Sequence, residues 1–232
     1  MKIKHAMILA AGLGSRMKPL TLKLPKPLIK IRNINLLERS INLLTKNGIK
    51  QISVNTHYLS EEIEKFISNL NTPAKITISK EEKMLLDTGG GVKEGTKKFE
   101  NNPFFIINPD TLWRDKYLDD IRNLEIIYFK KKTPCLLLVN KKISYDQNFK
   151  GDFNLNDNII TKNNNNNFIF TGLQIMERKY LEQINKKVFS MNEVWNNLIQ
   201  EKYLHGLESK IKFYHLNTNE IYNKISNLDI ID

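Results

Sequence analysis

The first half of the chain alternates short apolar runs with amphipathic stretches. His5–Leu9, Gln51–Asn55, Lys75–Ser79 and Pro103–Ile107 read as strands bounded by turn residues. Leu36–Asn47 carries an apolar helical period and stops at Gly48. Ser60–Ile67 opens with a capping serine and two glutamates, the signature of a helix start. Strands alternating with helices predict a parallel sheet with helices on its faces. After residue 130 the rhythm changes. Thr133–Asn140 and Phe168–Met176 read as strands, and Gly151–Leu155 and Asn158–Thr161 as shorter ones. The run Asn163–Asn167 between them reads as a hairpin tip. Met191–Lys202 has Val194, Trp195, Leu198 and Ile199 at helical spacing, and Glu220–Ile231 reads as a last helix. No linker and no internal repeat interrupts the 232 residues, which suit one α/β domain.

Composition adds little to this picture. About 41% of residues are hydrophobic, enough for a sizeable core, and no apolar run approaches the length of a membrane span. The opening Met1–His5 shows no secretory signal, so a cytoplasmic protein without a membrane partner is expected. The single cysteine, Cys135, lies in an apolar run and is expected to be a buried, inert thiol. The formal net charge of +11 invites a nucleic-acid reading. The lysines are scattered and mixed with glutamates, as in Glu61–Lys65, so no nucleic-acid partner is expected. A general positive field suits small anionic substrates instead.

The chemistry concentrates in three places. Met7 to Thr21 reads Met-Ile-Leu-Ala-Ala-Gly-Leu-Gly-Ser-Arg-Met-Lys-Pro-Leu-Thr, and Lys26 follows between two prolines. Gly12 and Gly14 let the backbone approach phosphate oxygens, while Arg16 and Lys26 supply positive charge. Neither a dinucleotide fingerprint nor a Walker P-loop is present. Next, Asp110 follows the fourth strand in Asn108-Pro-Asp-Thr, where α/β sheets bind ligands. Taken alone it fits an Asx turn better. Last, Asp87-Thr-Gly-Gly-Gly-Val92 places three glycines before a helix, a surface that a flat ring or an anion can approach.

Taken together, Leu-Ala-Ala-Gly-x-Gly-Ser-Arg-Met-x-Pro-Leu-Thr with Pro-Lys-Pro-Leu resembles the opening of the sugar-1-phosphate nucleotidyltransferases. Leu86-Asp-Thr-Gly-Gly-Gly, Asn-x-Asp-x-x-Trp and Lys150-Gly-Asp-Phe resemble most closely the N-acetylmuramate-1-phosphate uridylyltransferase branch. The resemblance covers nearly the whole chain. It implies a Rossmann-like three-layer α/β sandwich with a mainly parallel central sheet, the nucleotide-diphospho-sugar transferase fold. It also implies a nucleotide-binding half over about 1–112 and a sugar-binding half over about 113–232.

The resemblance further implies the site. Leu9, Ala11, Gly12, Leu13, Gly14, Ser15, Arg16, Lys26, Thr88 and Gly89 would bind the nucleotide. Asn108, Gly151, Asp152, Thr171 and Gly172 would bind the sugar. Arg16, Lys26 and Asp110 would carry the chemistry, with Asp110 on Mg²⁺. The sugar phosphate would attack the α-phosphorus of a nucleoside triphosphate and release pyrophosphate. The early motifs do not separate uridine from guanosine, so mannose- or heptose-1-phosphate guanylyltransferases remain alternatives, as does a sugar-nucleotide-binding protein without turnover. The chain would act as a monomer or small homo-oligomer.

One departure stands out. The family usually ends in Trp-x-Asp-x-Gly-Thr, whose aspartate is a second metal ligand. Here the stretch is Phe213-Tyr-His-Leu-Asn-Thr218. His215 could ligate the metal, contact a phosphate, or be structural. Asn217 would take up the glycine's backbone conformation at some cost.

Overall fold

The computed structural model describes residues 2–228. Among the described residues there are eleven strands: β1 His5–Leu9, β2 Lys30–Ile31, β3 Ile34–Asn35, β4 Gln51–Thr56, β5 Lys75–Lys80, β6 Phe104–Ile107, β7 Cys135–Asn140, β8 Asn154–Asn156, β9 Ile159–Thr161, β10 Phe168–Met176 and β11 His205–Ser209. Seven α-helices accompany them: α1 Leu36–Lys46, α2 Ser60–Ser68, α3 Asp87–Gly95, α4 Tyr117–Lys131, α5 Arg178–Glu182, α6 Met191–Gln200 and α7 Asn219–Ser226.

Nine strands form one sheet in the order β5-β4-β1-β6-β10-β7-β11-β9-β8, and β2 and β3 form a small ribbon beside it. The first four strands of that order are parallel. β10 then runs antiparallel between β6 and β7, so the second half is mixed. Side chains alternate across the sheet as strand geometry requires. Ala6, Ile8, Phe105, Ile107 and Leu137 face α1, α2 and α4 in one core. Met7, Phe104, Ile106, Leu136 and Leu138 face α3, α5 and α6 in another. The result is a three-layer, Rossmann-like α/β sandwich. Cys135 is buried and unpaired, and burial pushes its thiol up to about 12.

Several local expectations change. Ser60 does not cap α2; it lies inside the helix, and Leu59 takes the cap position at φ 50°. The glycines of residues 89–91 lie within α3 and do not precede it. The tight turn of the β8–β9 hairpin is Asp157-Asn158, both at positive φ, as a type I′ turn needs. The asparagine run is instead the β9–β10 connection, braced by Asn154, Asn163 and Asn166 side chains. The last helix is described to Ser226, and the rest of its expected span lies partly outside the described residues. Five elements were not expected: β2, β3, α4, α5 and β11. Among the described residues no helix is long and apolar enough to cross a membrane.

Candidate active site

The C-terminal ends of β1, β4, β5 and β6 open onto one cavity of about 440 Å³. This is where a parallel sheet leaves a crevice between diverging loops. Its floor and walls include Leu9 to Met17, Lys26, Asn55, Glu81, Asp87, Thr88, Asn108 to Asp110, and Asn217.

The loop after β1 forms one wall. Gly14 sits at φ 63°, and a Cβ there would lie 2.9 Å from Thr21 Cγ2. The buried Thr21 returns its hydroxyl to the Gly14 carbonyl at 2.8 Å, which folds the loop onto itself. Gly12 differs, because a Cβ there would meet nothing within 4 Å. Packing does not ask for that glycine; a side chain would project into open space beside the cavity. Arg16 lies exposed on the cavity wall.

Behind this wall runs a chain of buried hydrogen bonds. Ala10 N–H donates to Asn55 Oδ1 at 2.8 Å, Asn55 Nδ2 donates to Glu81 Oε1 at 2.7 Å, and Leu86 N–H donates to Glu81 Oε2 at 2.7 Å. The Glu81 carbonyl accepts from His57 Nδ1 at 2.6 Å, so that nitrogen carries the proton. Two side chains thus tie the loop after β1 to the start of α3. Sequence reading missed both. Their signal was position, a polar residue at the C-terminal end of each of two neighbouring parallel strands.

At the opposite end Lys26 and Asp110 meet. Prolines on both sides hold Lys26 in a short 3₁₀ turn. Its Nζ donates to Asp110 Oδ2 at 2.6 Å, with side chains only 15% and 22% exposed. Asp110 is fixed from below. Asn108 N–H donates to the Gly172 carbonyl at 2.8 Å, Thr111 Oγ1 to the Thr171 carbonyl at 2.6 Å, and Leu216 N–H to the Asp110 carbonyl at 2.8 Å. Burial alone would raise the Asp110 carboxyl. The His215 and Lys26 charges and the Lys26 hydrogen bond outweigh it and hold the group at about 2. Burial pushes the His215 imidazole down, and Lys26 and Arg16 add to this against the pull of Asp110. His215 thus gives up its proton more readily than a free imidazole, and Lys26 is the hydrogen-bonded counter-charge of Asp110.

The structure sorts the expected residues. Leu9, Ala11 to Arg16, Lys26, Thr88, Asn108 and Asp110 share the cavity. Gly89 does not. Its N–H donates to the Phe189 carbonyl at 2.9 Å, and a Cβ would lie 2.4 Å from the Phe189 ring. Gly90 is pressed equally against the Lys187 carbonyl, and Gly91 against Asn55 and Glu81. The triple glycine is a close-packing device between α3 and its neighbours, not a surface for the base. Thr171 and Gly172 lie beneath the Asn108–Asp110 loop, not on the cavity wall; Gly172, at φ 94°, backs onto Asn108. Gly151 packs on the Asn166 backbone, and the Asp152 carboxylate accepts from Phe170 N–H at 2.9 Å. Neither reaches the cavity. His215 is beside Asp110, its Nε2 3.6 Å from Oδ2, stacked on Phe213 and edge-on to Phe149. Asn217 does line the cavity and is not at positive φ, so it carries no backbone cost there.

A divalent cation can be tested against this donor set. Asp110 Oδ1 is buried and has no hydrogen-bond partner, a costly state for a carboxylate oxygen unless a cation meets it. Among the described residues no group of three His, Cys, Asp or Glu side chains could hold a metal alone. Such an arrangement suits Mg²⁺, which is commonly held by one or two carboxylates together with substrate phosphates and water.

Comparisons with known proteins agree with this geometry. The chain is 34% identical over 113 residues to the N-acetylmuramate alpha-1-phosphate uridylyltransferase of Caulobacter vibrioides, covering 47% of each chain. It is 36% identical over 120 residues to the D-glycero-alpha-D-manno-heptose 1-phosphate guanylyltransferase of Aneurinibacillus thermoaerophilus, covering 52% of this chain and 50% of the relative. The matched part thus spans about half the length of these curated relatives. In fold the chain is similar to a UDP-glucose pyrophosphorylase complexed with UDP-glucose, with a TM-score of 0.78, 17% identity and 97% of both chains covered. It is also similar to HddC from Yersinia pseudotuberculosis complexed with GMP-PN, with a TM-score of 0.72, 22% identity, and 97% and 98% covered. The fold is that of the nucleotide-diphospho-sugar transferases. Residues 5–134, more than half of the chain, match the family described as Nucleotidyl transferase, and the chain belongs to that family.

Proposed function

We propose that the chain transfers a nucleotidyl group from a nucleoside triphosphate to a sugar 1-phosphate, giving a nucleotide sugar and pyrophosphate, with Mg²⁺ as cofactor. The observation that carries this reading is the meeting of Lys26 and Asp110, 2.6 Å apart, at the end of a cavity walled by the Gly12–Arg16 loop. A triphosphate lying along that loop meets backbone N–H groups first and Arg16 and Lys26 next. Arg16 holds the β- and γ-phosphates. Lys26 stands between the α-phosphate and the incoming sugar phosphate and reduces their repulsion. An oxygen of the sugar phosphate attacks the α-phosphorus in line; the bond from that phosphorus to the bridging oxygen breaks, and pyrophosphate leaves with the electron pair. The attacking phosphate is already ionised at neutral pH, so no general base is needed. Asp110 would hold Mg²⁺ through Oδ1, and the ion supplies charge neutralisation at the reacting phosphates.

Within this class the first reading is UTP with N-acetylmuramate 1-phosphate. The similarity to the heptose 1-phosphate guanylyltransferase favours a second reading, GTP with mannose or heptose 1-phosphate. One assay covers both. The protein is incubated with Mg²⁺, each of the four triphosphates and a panel of sugar 1-phosphates, and pyrophosphate release is followed. Turnover with UTP and N-acetylmuramate 1-phosphate is expected. Preference for GTP selects the second reading. Binding of a nucleotide sugar without any turnover would overturn the catalytic reading altogether.

A further inference from the structure

The place of the second metal-ligating carboxylate is taken by His215, yet His215 is badly sited for a cation on Asp110. Its Nε2 faces Oδ2, the oxygen that Lys26 already holds, and its ring is packed between Phe213 and Phe149. Two residues on, Asn217 reaches the same cavity as Asp110. The two segments are joined directly by the bond from Leu216 N–H to the Asp110 carbonyl, 2.8 Å.

The amide of Asn217 has a fixed orientation. Its Nδ2 donates to Asp146 Oδ2 at 3.0 Å, and a carboxylate only accepts, so the nitrogen must be on that side. Asp146 is itself held in place. Its Oδ1 accepts from Asn148 N–H at 3.0 Å, and its carbonyl accepts from the Ser144 hydroxyl at 2.9 Å. The oxygen of Asn217 is thereby directed away from Asp146. This Oδ1 is buried and has no hydrogen-bond partner, as is Asp110 Oδ1. Two unpartnered buried oxygens on adjoining segments of one cavity call for an electropositive occupant. A carboxamide oxygen is also a harder donor than imidazole and better suited to Mg²⁺.

We infer that Asn217 Oδ1 is a second protein donor to the divalent cation on Asp110, oriented by Asp146, and that His215 is not a ligand. This rests on the metal-dependent reading above, and the experiment separates the two. Mn²⁺ binding to the substrate-free chain is followed by the loss of the free-ion paramagnetic resonance signal. The wild type should bind one Mn²⁺ per chain, and Asp110→Asn should abolish that binding. Asn217→Ala should weaken it about tenfold or more. The swapped pair Asn217→Asp/Asp146→Asn, which keeps an oxygen at the site and an amide–carboxylate contact between the two side chains, should bind within a few-fold of the wild type. His215→Gln should stay within about twofold. Each variant's melting temperature in chelator reports whether it folds; if Asn217→Ala does not, Asp146→Asn, which releases the Asn217 amide from its fixed orientation, carries the test and should weaken binding several-fold, unchanged affinity counting against the assignment. If Asp110→Asn loses the ion while Asn217→Ala keeps wild-type affinity, the Asn217 assignment is wrong and the metal reading stands. Loss in His215→Gln alone would return the second donor to the imidazole. No Asp110-dependent binding in the wild type would overturn the Asn217 assignment, since two protein donors would then not hold the ion, and would leave a cation held by Asp110 with substrate phosphates and water.

Discussion

Replacing Lys26 by methionine removes one charge and keeps most of the side chain's volume. In the metal-free, substrate-free protein this strips Asp110 of its counter-charge while the carboxylate stays buried. The Asp110 carboxyl is held at about 2 against an ordinary value of 3.8. His215 and Lys26 share this depression; just under two units at about 1.4 kcal/mol each correspond to on the order of 2 kcal/mol of folding stability, of which Lys26 supplies a part. The pair is only 15% and 22% exposed, so solvent screening takes away little of this. At about 2–4 °C per kcal/mol for a domain of this size, the melting temperature should fall by several degrees, at most about 8 °C, at pH 7. Because the folded-state value is depressed, the wild-type contribution is complete above pH 3.8 and is lost as pH falls toward about 2. The gap between variant and wild type should therefore be widest near neutrality and close as the solution is acidified through that window. The double variant Lys26→Met/Asp110→Asn should recover most of the lost stability and none of the activity. Calorimetry in chelator across this pH range provides the measurement. A variant that melts within about a degree of the wild type at pH 7, or a gap that does not narrow on acidification, would refute the reasoning.

Other tests address separate parts of the site. Lys26→Met should also lose about 10²-fold or more in turnover, measured by pyrophosphate release, since it removes a charge aimed at the reacting phosphates. Asp110→Asn should lose activity to a similar extent, with partial recovery at high Mg²⁺ or with Mn²⁺; unchanged metal dependence would leave Asp110 as a turn residue. Gly12→Ala should raise the KM for the triphosphate with no more than about a degree of change in melting temperature, because its Cβ meets nothing in the fold. Gly89→Ala should do the reverse, costing about 1–3 kcal/mol in a denaturant titration through its clash with Phe189. Asn55→Ala should cost about 1–3 kcal/mol by orphaning the Ala10 N–H and Glu81 Oε1, and should raise the KM for the triphosphate as the two loops come apart.

The parallel half of the sheet was legible because β1 and β6 are short apolar runs, β4 and β5 alternate apolar with polar residues, and α1 and α2 each have one apolar face. α4 was not. Ile126 is 63% exposed and the buried Glu125 accepts from Ile3 N–H at 2.7 Å, so apolar and polar positions do not follow one helical face. β11 reads His-Gly-Leu-Glu-Ser, a poor strand sequence that is held by pairing with β7 on one side. In the site, Gly12 to Arg16, Lys26 and Asp110 were visible as local motifs. Asn55 with Glu81, and Asp146 with Asn217, were not, because each pair is made only when residues 26 and 71 positions apart are brought together. The glycines of α3 misled for a related reason. A glycine that admits a ligand and one that admits Phe189 look the same until the tertiary contact is known.

β10 gives the molecule a property that the expected division into a nucleotide half and a sugar half conceals. The segment matching the family, residues 5–134, ends before this strand, yet β10 is what closes the β6 edge. Cut at residue 134, the chain would expose Phe104–Ile107 as an open edge of four fully buried residues, and α3 would lose the Phe189 carbonyl that receives the Gly89 and Gly90 N–H groups. An unprotected apolar edge recruits other chains. The shortest stretch that carries the signature of the family is therefore a poor unit for expression, splitting or domain grafting. A truncation intended to isolate nucleotide binding must retain the returning strand and the helices that follow it.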